Sequence, residues 1–150
     1  RARDASLLVV DEDTKDLVFV ISIGELDPTS LAWKRVPRGE GVAGWVADNR
    51  RATIVNHPQS DERFYEAFDE ENTFRTDSLL AAPIIGGGRV MGVIELLNKI
   101  DGGYFSAQDQ TMLTLACRLA GEMLFALTRR TLQAARIQLP RGPRLKPPAS

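Results

Sequence analysis

A chain of 150 residues is long enough for one domain with a proper core and short for two. Its 43% hydrophobic and 26% charged content is that of an ordinary globular protein, no apolar run approaches the ~20 residues of a membrane span, and no signal-peptide pattern opens it. One cysteine, Cys117, excludes a disulfide framework and Cys-based zinc spacing, so a reducing, cytoplasmic setting is the expectation. The net charge of −1 conceals an asymmetry: six of the 19 basic residues, and no acid, lie from Arg129 onward, leaving 13 basic against 20 acidic groups before it. Arg1 stands where Met is expected, so the chain reads as a piece of a longer protein.

Ser6–Val10 and Leu17–Ile23 are short apolar runs around Asp11-Glu-Asp-Thr-Lys-Asp16, a β-hairpin pattern. Alternation through Leu31, Trp33 and Arg35 predicts a third strand ended by Pro37. Gly39-Glu-Gly41 opens a short helix over Val42–Asp48, and Thr53-Ile-Val55 is a brief strand. Asp61 can cap a second short helix, Glu62 to about Phe68, with Phe64, Tyr65 and Phe68 on its apolar face. Leu79–Ile85, Gly86-Gly-Gly88 and Val90–Leu97 form the clearest hairpin, with Pro83 suited to an edge, bulge or irregular point.

At Ser106 the period changes to helical: Met112, Leu113, Leu115, Leu119, Met123, Leu124 and Leu127 predict a helix to about Ile137, on the order of 45 Å long. Ser106 and Asp109 have capping-box spacing at its start. The pattern implies an α+β fold: a central antiparallel sheet, short helices over one side and one long C-terminal helix. Residues 1–138 read as a single domain, its N-terminal helix truncated, and 139–150 as a Pro/Arg-rich linker or tail.

Four stretches carry a family resemblance: Pro37-Arg-Gly-Glu-Gly-Val-Ala-Gly-Trp-Val-Ala47, Phe74-Arg-Thr-Asp-Ser-Leu-Leu-Ala-Ala-Pro83, Met91-Gly-Val-Ile-Glu-Leu-Leu-Asn-Lys99, and Phe105 with Asp109. Together they resemble a GAF domain, the small-molecule sensor module of phosphodiesterases, bacterial cyclases and signalling regulators. Asn98, Lys99, Phe105 and Asp109 match the signature of the cyclic-nucleotide-binding branch, while Gln110 replaces the family's glutamate. The resemblance implies a GAF/PAS-like fold and a Lys99–Asp109 ion pair locking the lid region without touching the ligand.

Carried over residue by residue, the same resemblance implies ligand contacts at Ser6, Val42, Ala43, Tyr65, Asp69, Asn72, Thr76 and Glu95. The amides of Val42 and Ala43, at a helix start, suit a cyclic phosphate. Ser22 and Ile23 depart from the Phe-Asp of some cyclic-GMP binders, leaving adenine or an unrelated ligand open. Blander readings stand beside these. Tyr65 packs its ring on a sheet with or without a ligand, and Asp69-Glu-Glu71 is read equally as a solvated turn. Glu95, inside an apolar strand, either alternates to solvent or lines a cavity.

Catalysis and metal binding find little support. His57 lies in a loop without a ligand cluster, and Cys117 sits mid-helix as a small hydrophobe. No cofactor is implied beyond a bound cAMP or cGMP. The basic tail lacks interleaved aromatics, so no nucleic-acid contact by the domain is expected. Leu113, Cys117, Ala120, Leu124, Leu127 and Thr131 step by three or four, a stripe that could simply cover its own sheet; the expectation is that its first half packs on the domain and its second half pairs with a neighbour as a homodimer seam. The expected function is a sensor that binds a small molecule and signals through its terminal helix to an attached output domain. The alternative is a GAF domain without ligand, serving dimerisation or partner contact.

Overall fold

A computed structural model of the chain describes residues 1–25, 28–65, 69, 74–131 and 140–144. Six antiparallel strands form one sheet in the order β3-β2-β1-β6-β5-β4. They are β1 (Ala2–Val10), β2 (Leu17–Ile23), β3 (Arg35–Val36), β4 (Thr53–Val55), β5 (Leu79–Gly86) and β6 (Arg89–Lys99). Helices α1 (Pro28–Leu31), α2 (Gly41–Asn49) and the long α3 (Ala107–Thr131) complete the described elements with a 3₁₀ turn at Pro58–Ser60. The α+β architecture and both hairpins match the sequence pattern. Pro83 lies just beyond the reach of β4, which pairs only as far as Ala81.

The expected third strand is shorter. Pro28 starts a helical turn that buries Leu31, and Trp33 adopts a left-handed φ of 68°, so the strand proper is only Arg35–Val36, although the Trp33 amide and the Lys34 carbonyl still bond the Phe19 backbone of β2. The alternation at Leu31 and Trp33 was the periodicity of a turn seen over too few residues. The helix expected from Glu62 is likewise absent over residues 62–65, which form a turn and irregular chain; the remainder of that range lies outside the described residues. Here the Asp61 carboxylate is taken by Arg63, whose amide and guanidinium both donate to it, so the aspartate holds a turn instead of a helix start.

The two faces of the sheet are packed differently. One carries Leu8, Phe19, Leu79, Val93 and Leu97 against α1 and α2. The other carries Ala82 and Ile84, which meet Cys117 and Leu113 of α3. There α3 crosses the end of β5 with backbone nearly touching backbone: a Cβ on Gly121 would fall on the Ile85 carbonyl, so only glycine fits. The first half of the expected stripe therefore covers the sheet: Cys117 is fully buried and Leu113 faces the strands, whereas Leu124 and Leu127 of the second half are exposed. Met112, Leu115, Leu119 and Met123 are exposed as well and form, with Leu127, an apolar stripe. The side chain of Thr131 is outside the described residues. By length and mean hydropathy (1.3), residues 107–129 also meet the minimum for a membrane span, though one face of this helix packs on the sheet.

Within the segment expected as linker or tail, residues 140–144 lie along the outer edge of β3. Arg144 pairs with Arg35 in parallel, and the Arg35 amide donates to the Pro143 carbonyl at 2.9 Å.

Candidate ligand-binding site

Between the α2 side of the sheet and the chain at Phe64–Tyr65 lies a cavity of about 60 Å³, with walls mostly apolar. Strand alternation supplies its polar groups. Ser6 on β1 and Ala81 on β5 are the cross-strand partners of Glu95 on β6, so all three side chains share the cavity face. Ser6, Thr76 and Glu95 converge there with Val42 and Ala43 from the start of α2 and with the Tyr65 ring. Six of the eight residues expected to touch a ligand are thereby brought to one space, separated by up to 89 positions in the chain.

Glu95 answers the question its position raised: it is half-buried, and it faces the cavity. Burial pushes its carboxyl up to about 7, so near neutral pH it can donate a hydrogen bond as well as accept one. Burial, with Glu40 beside it, likewise pushes the Tyr65 phenol up to about 12. Its hydroxyl donates to Glu40 Oε2 at 3.4 Å. Glu40 occupies the N-cap position of α2 without a side-chain cap bond. The first-turn amides of that helix, Val42 and Ala43 among them, have no intrahelical partner.

Asp69 is buried, so it is no solvated turn residue, yet it stands behind the wall of the cavity instead of in it. Its carboxylate accepts from the Thr76 amide (2.6 Å) and the Thr76 hydroxyl (2.8 Å), holding Thr76 in place. Asn72 lies outside the described residues.

The four residues of the expected lock are also assembled. Lys99 Nζ meets Asp109 Oδ2 at 2.9 Å and donates to the Tyr104 carbonyl. The Ser106 amide, the Lys99 ammonium and the Ser106 hydroxyl hold the Asp109 carboxyl down to about 2. Ser106 and Asp109 complete a reciprocal capping box, the Asp109 amide donating back to Ser106 Oγ at 3.2 Å. Asn98 adopts a left-handed φ of 56° at the end of β6. Its side chain accepts from the Asp77 amide and donates to the Arg75 carbonyl, tying β6 to the start of β5. Phe105 is buried.

Sequence reading missed two partners of this lock. Asn56 clasps the Phe105 backbone from both sides, at 3.0 and 3.1 Å, and Gln110 donates to the Ala52 carbonyl at 2.9 Å. A glutamate could not make that second contact as a donor. Ser22 shares the Ser6 face by register, and its buried hydroxyl has no hydrogen-bond partner among the described residues. Ile23 alternates to the opposite side and is 64% exposed. Phe19, Val36 and Leu97 also line the cavity; nothing in an apolar strand pattern distinguishes such residues from ordinary core.

The family described as "GAF domain" matches residues 2–124 of this chain. The chain is a GAF domain. Over 77 residues it is 32% identical to the human rod cGMP-specific 3',5'-cyclic phosphodiesterase subunit alpha, covering 51% of this chain and 9% of that protein. It is 28% identical to the probable 3',5'-cyclic phosphodiesterase pde-5 of Caenorhabditis elegans, covering 90% of this chain and 20% of that protein. The GAF domain thus spans a fifth or less of the length of these curated relatives.

Solved structures agree on the fold. The GAF domain of a phosphoenolpyruvate-protein phosphotransferase from Coxiella burnetii superposes with a TM-score of 0.73 at 19% identity, covering 87% of this chain and 76% of that one. The free methionine-R-sulfoxide reductase of Neisseria meningitidis superposes at 0.68 and 18% identity, covering 87% and 71%. The second shows that the fold also serves an enzyme. The single cysteine of the present GAF domain is on the α3 side of the sheet, where burial pushes its thiol up to about 11.

Proposed function

We propose that this GAF domain is the small-molecule sensor of a larger signalling protein, that its ligand is a cyclic nucleotide, cAMP or cGMP, and that it performs no chemistry. The observation that carries this reading is the convergence of Ser6, Thr76 and Glu95 on an apolar cavity that the first turn of α2, Val42 and Ala43, also lines. The amides of Val42 and Ala43 would take the cyclic phosphate, since among the described residues no lysine or arginine lines the cavity. Glu95 would read the purine edge, accepting or donating according to its proton. Similarity to part of two 3',5'-cyclic phosphodiesterases, one of them cGMP-specific, supports the same ligand class. About 60 Å³ holds a few waters and a nucleotide needs several times more, so binding would displace Phe64 and Tyr65.

The response would leave through α3. Its exposed stripe of Met112, Leu115, Leu119, Met123 and Leu127 repeats every three or four residues, the spacing of a helix-pairing seam, and we read it as a homodimer contact that passes ligand closure to an attached output domain. The packed Cys117–Gly121 face argues for protein rather than lipid against the stripe, in keeping with a cytoplasmic protein. The same stripe, beside so small a cavity, favours a second reading: a GAF domain without ligand that serves dimerisation alone.

Thermal unfolding with and without each cyclic nucleotide separates the two. A ligand at ~100 times its dissociation constant should add roughly 2.7 kcal/mol of stability. The shift should disappear in Ser6→Ala combined with Glu95→Ala. Absence of a shift with either nucleotide would refute the cyclic-nucleotide reading and leave the dimerisation module.

A further inference from the structure

A second constellation lies at the far edge of the sheet, outside the ligand cavity. The turn between β1 and β2 is acidic, and Asp11 and Asp16 are both buried. Arg35, itself 5% exposed, reaches into it from β3. Its Nη2 donates to Asp11 Oδ2 at 2.7 Å, its Nη1 donates to Thr14 Oγ1 at 3.2 Å, and the same nitrogen lies 3.7 Å from Asp16 Oδ2. Burial disfavours the Asp11 carboxylate, but Arg35 and the Asp13 and Thr14 amides outweigh it and hold its pKa below the ordinary range. Two buried carboxylates then share one guanidinium, leaving a negative charge that burial makes costly.

The second cation comes from 109 residues beyond Arg35. Arg144 Nη2 lies 3.1 Å from Asp16 Oδ2, an oxygen that has no well-aligned hydrogen bond among the described residues. Three further contacts hold the same segment. Arg35 Nη2 donates to the Pro140 carbonyl at 3.2 Å, and the Arg35 amide donates to the Pro143 carbonyl at 2.9 Å. Between those prolines, Gly142 presses on the Trp33 carbonyl so closely that a Cβ there would collide with it. The prolines suit an added edge strand that only accepts along this side, the glycine suits the close approach, and the arginine matches the acid pair.

We propose that the outer edge of β3, backed by Asp11 and Asp16, is a recognition groove for an extended Pro-Arg-Gly-Pro-Arg segment, and that residues 140–144 of the same chain are its occupant. Docking completes the charge balance of a buried network and covers a sheet edge that would otherwise present free backbone groups. It also places the clip one residue from the cavity, because Val36 lines the cavity wall while Arg35 holds the segment. This goes beyond the sensor reading and does not depend on any ligand.

Amide hydrogen exchange on the full chain, resolved by NMR, tests it with Gly142→Val and Arg144→Glu. The Arg35 amide should exchange at least about tenfold faster in each variant than in the parent, with the amides of β5 and β6 unchanged as the control for folding. Unaltered Arg35 exchange in Gly142→Val would overturn the proposal. Protection of Arg35 that grows with protein concentration would overturn the assignment to the same chain, since the segment would then come from another copy.

Discussion

The two faces of this sheet were built from similar strands and ended as opposites. On the α3 face, Ala82, Ile84, Leu113 and Cys117 close tightly, helped by a glycine that lets helix and strand backbones meet. On the α2 face, Ser6, Thr76 and Glu95 interrupt an otherwise apolar wall, and a cavity remains. A carboxyl pushed up to about 7 is a cost no packing argument explains. The difference teaches where the protein spends stability on something other than folding: a sealed face needs no polar groups, whereas a face that keeps them is equipped to bind.

The comparison breaks most sharply on the sealed side. Gly121→Val places side-chain carbons against the Ile85 carbonyl, and neither backbone can yield without parting α3 from β5. The expected loss is on the order of 3 kcal/mol, read as a lower denaturant midpoint at unchanged slope. A variant as stable as the parent would mean that α3 does not pack as described.

On the cavity side the test is pH. The folded protein holds the Glu95 proton more tightly than the unfolded chain does, so this group favours folding least once it must ionise. Stability is highest below the unfolded carboxyl range near 4.5 and falls as pH rises toward about 7, by up to about 3 kcal/mol. Glu95→Gln removes that dependence, so the variant should match the parent near pH 4.5 and exceed it above pH 7. Parallel stability profiles for the two proteins would show that Glu95 is not buried in the folded state.

The smallest effect belongs to the lock that joins the two faces. Asp109 titrates at about 2 in the folded protein, below its unfolded value of 3.8, so its contribution is present above 3.8 and is lost as pH falls toward 2. Lys99→Ala should lower the melting temperature only slightly near neutral pH and should shift the acid unfolding midpoint upward. An unchanged acid limb in that variant would remove Lys99 from the lock, leaving Ser106 as the sole support of Asp109.

Much of this was legible beforehand, for reasons particular to each element. The hairpin across Gly86-Gly-Gly88 and the brief strand at Thr53–Val55 follow from apolar runs bounded by turn residues, a signal contained in a few neighbouring positions. The lock was legible because Asn98, Lys99, Phe105 and Asp109 form a compact motif. Where a pattern spanned too few residues it misled: Leu31 and Trp33 alternate like a strand but belong to a helical turn and its left-handed exit. In α3 the expected stripe meets the sheet at Leu113 and Cys117 and is exposed at Leu124 and Leu127; helical periodicity shows such a stripe without saying how much of it the sheet will cover, and the close approach at Gly121 decided that.

By itself, then, the order of residues determined the hairpins, the long helix, their α+β class and the GAF signature, because those depend on local propensity and on spacing within single segments. Only the tertiary structure decided which face each polar residue served. Strand register set Glu95 beside Ser6, a clamp from Asp69 set Thr76, and Arg35 and Arg144 met across more than 100 positions over two buried aspartates. Such contacts are long-range pairings between segments, and no property of either segment alone records its partner.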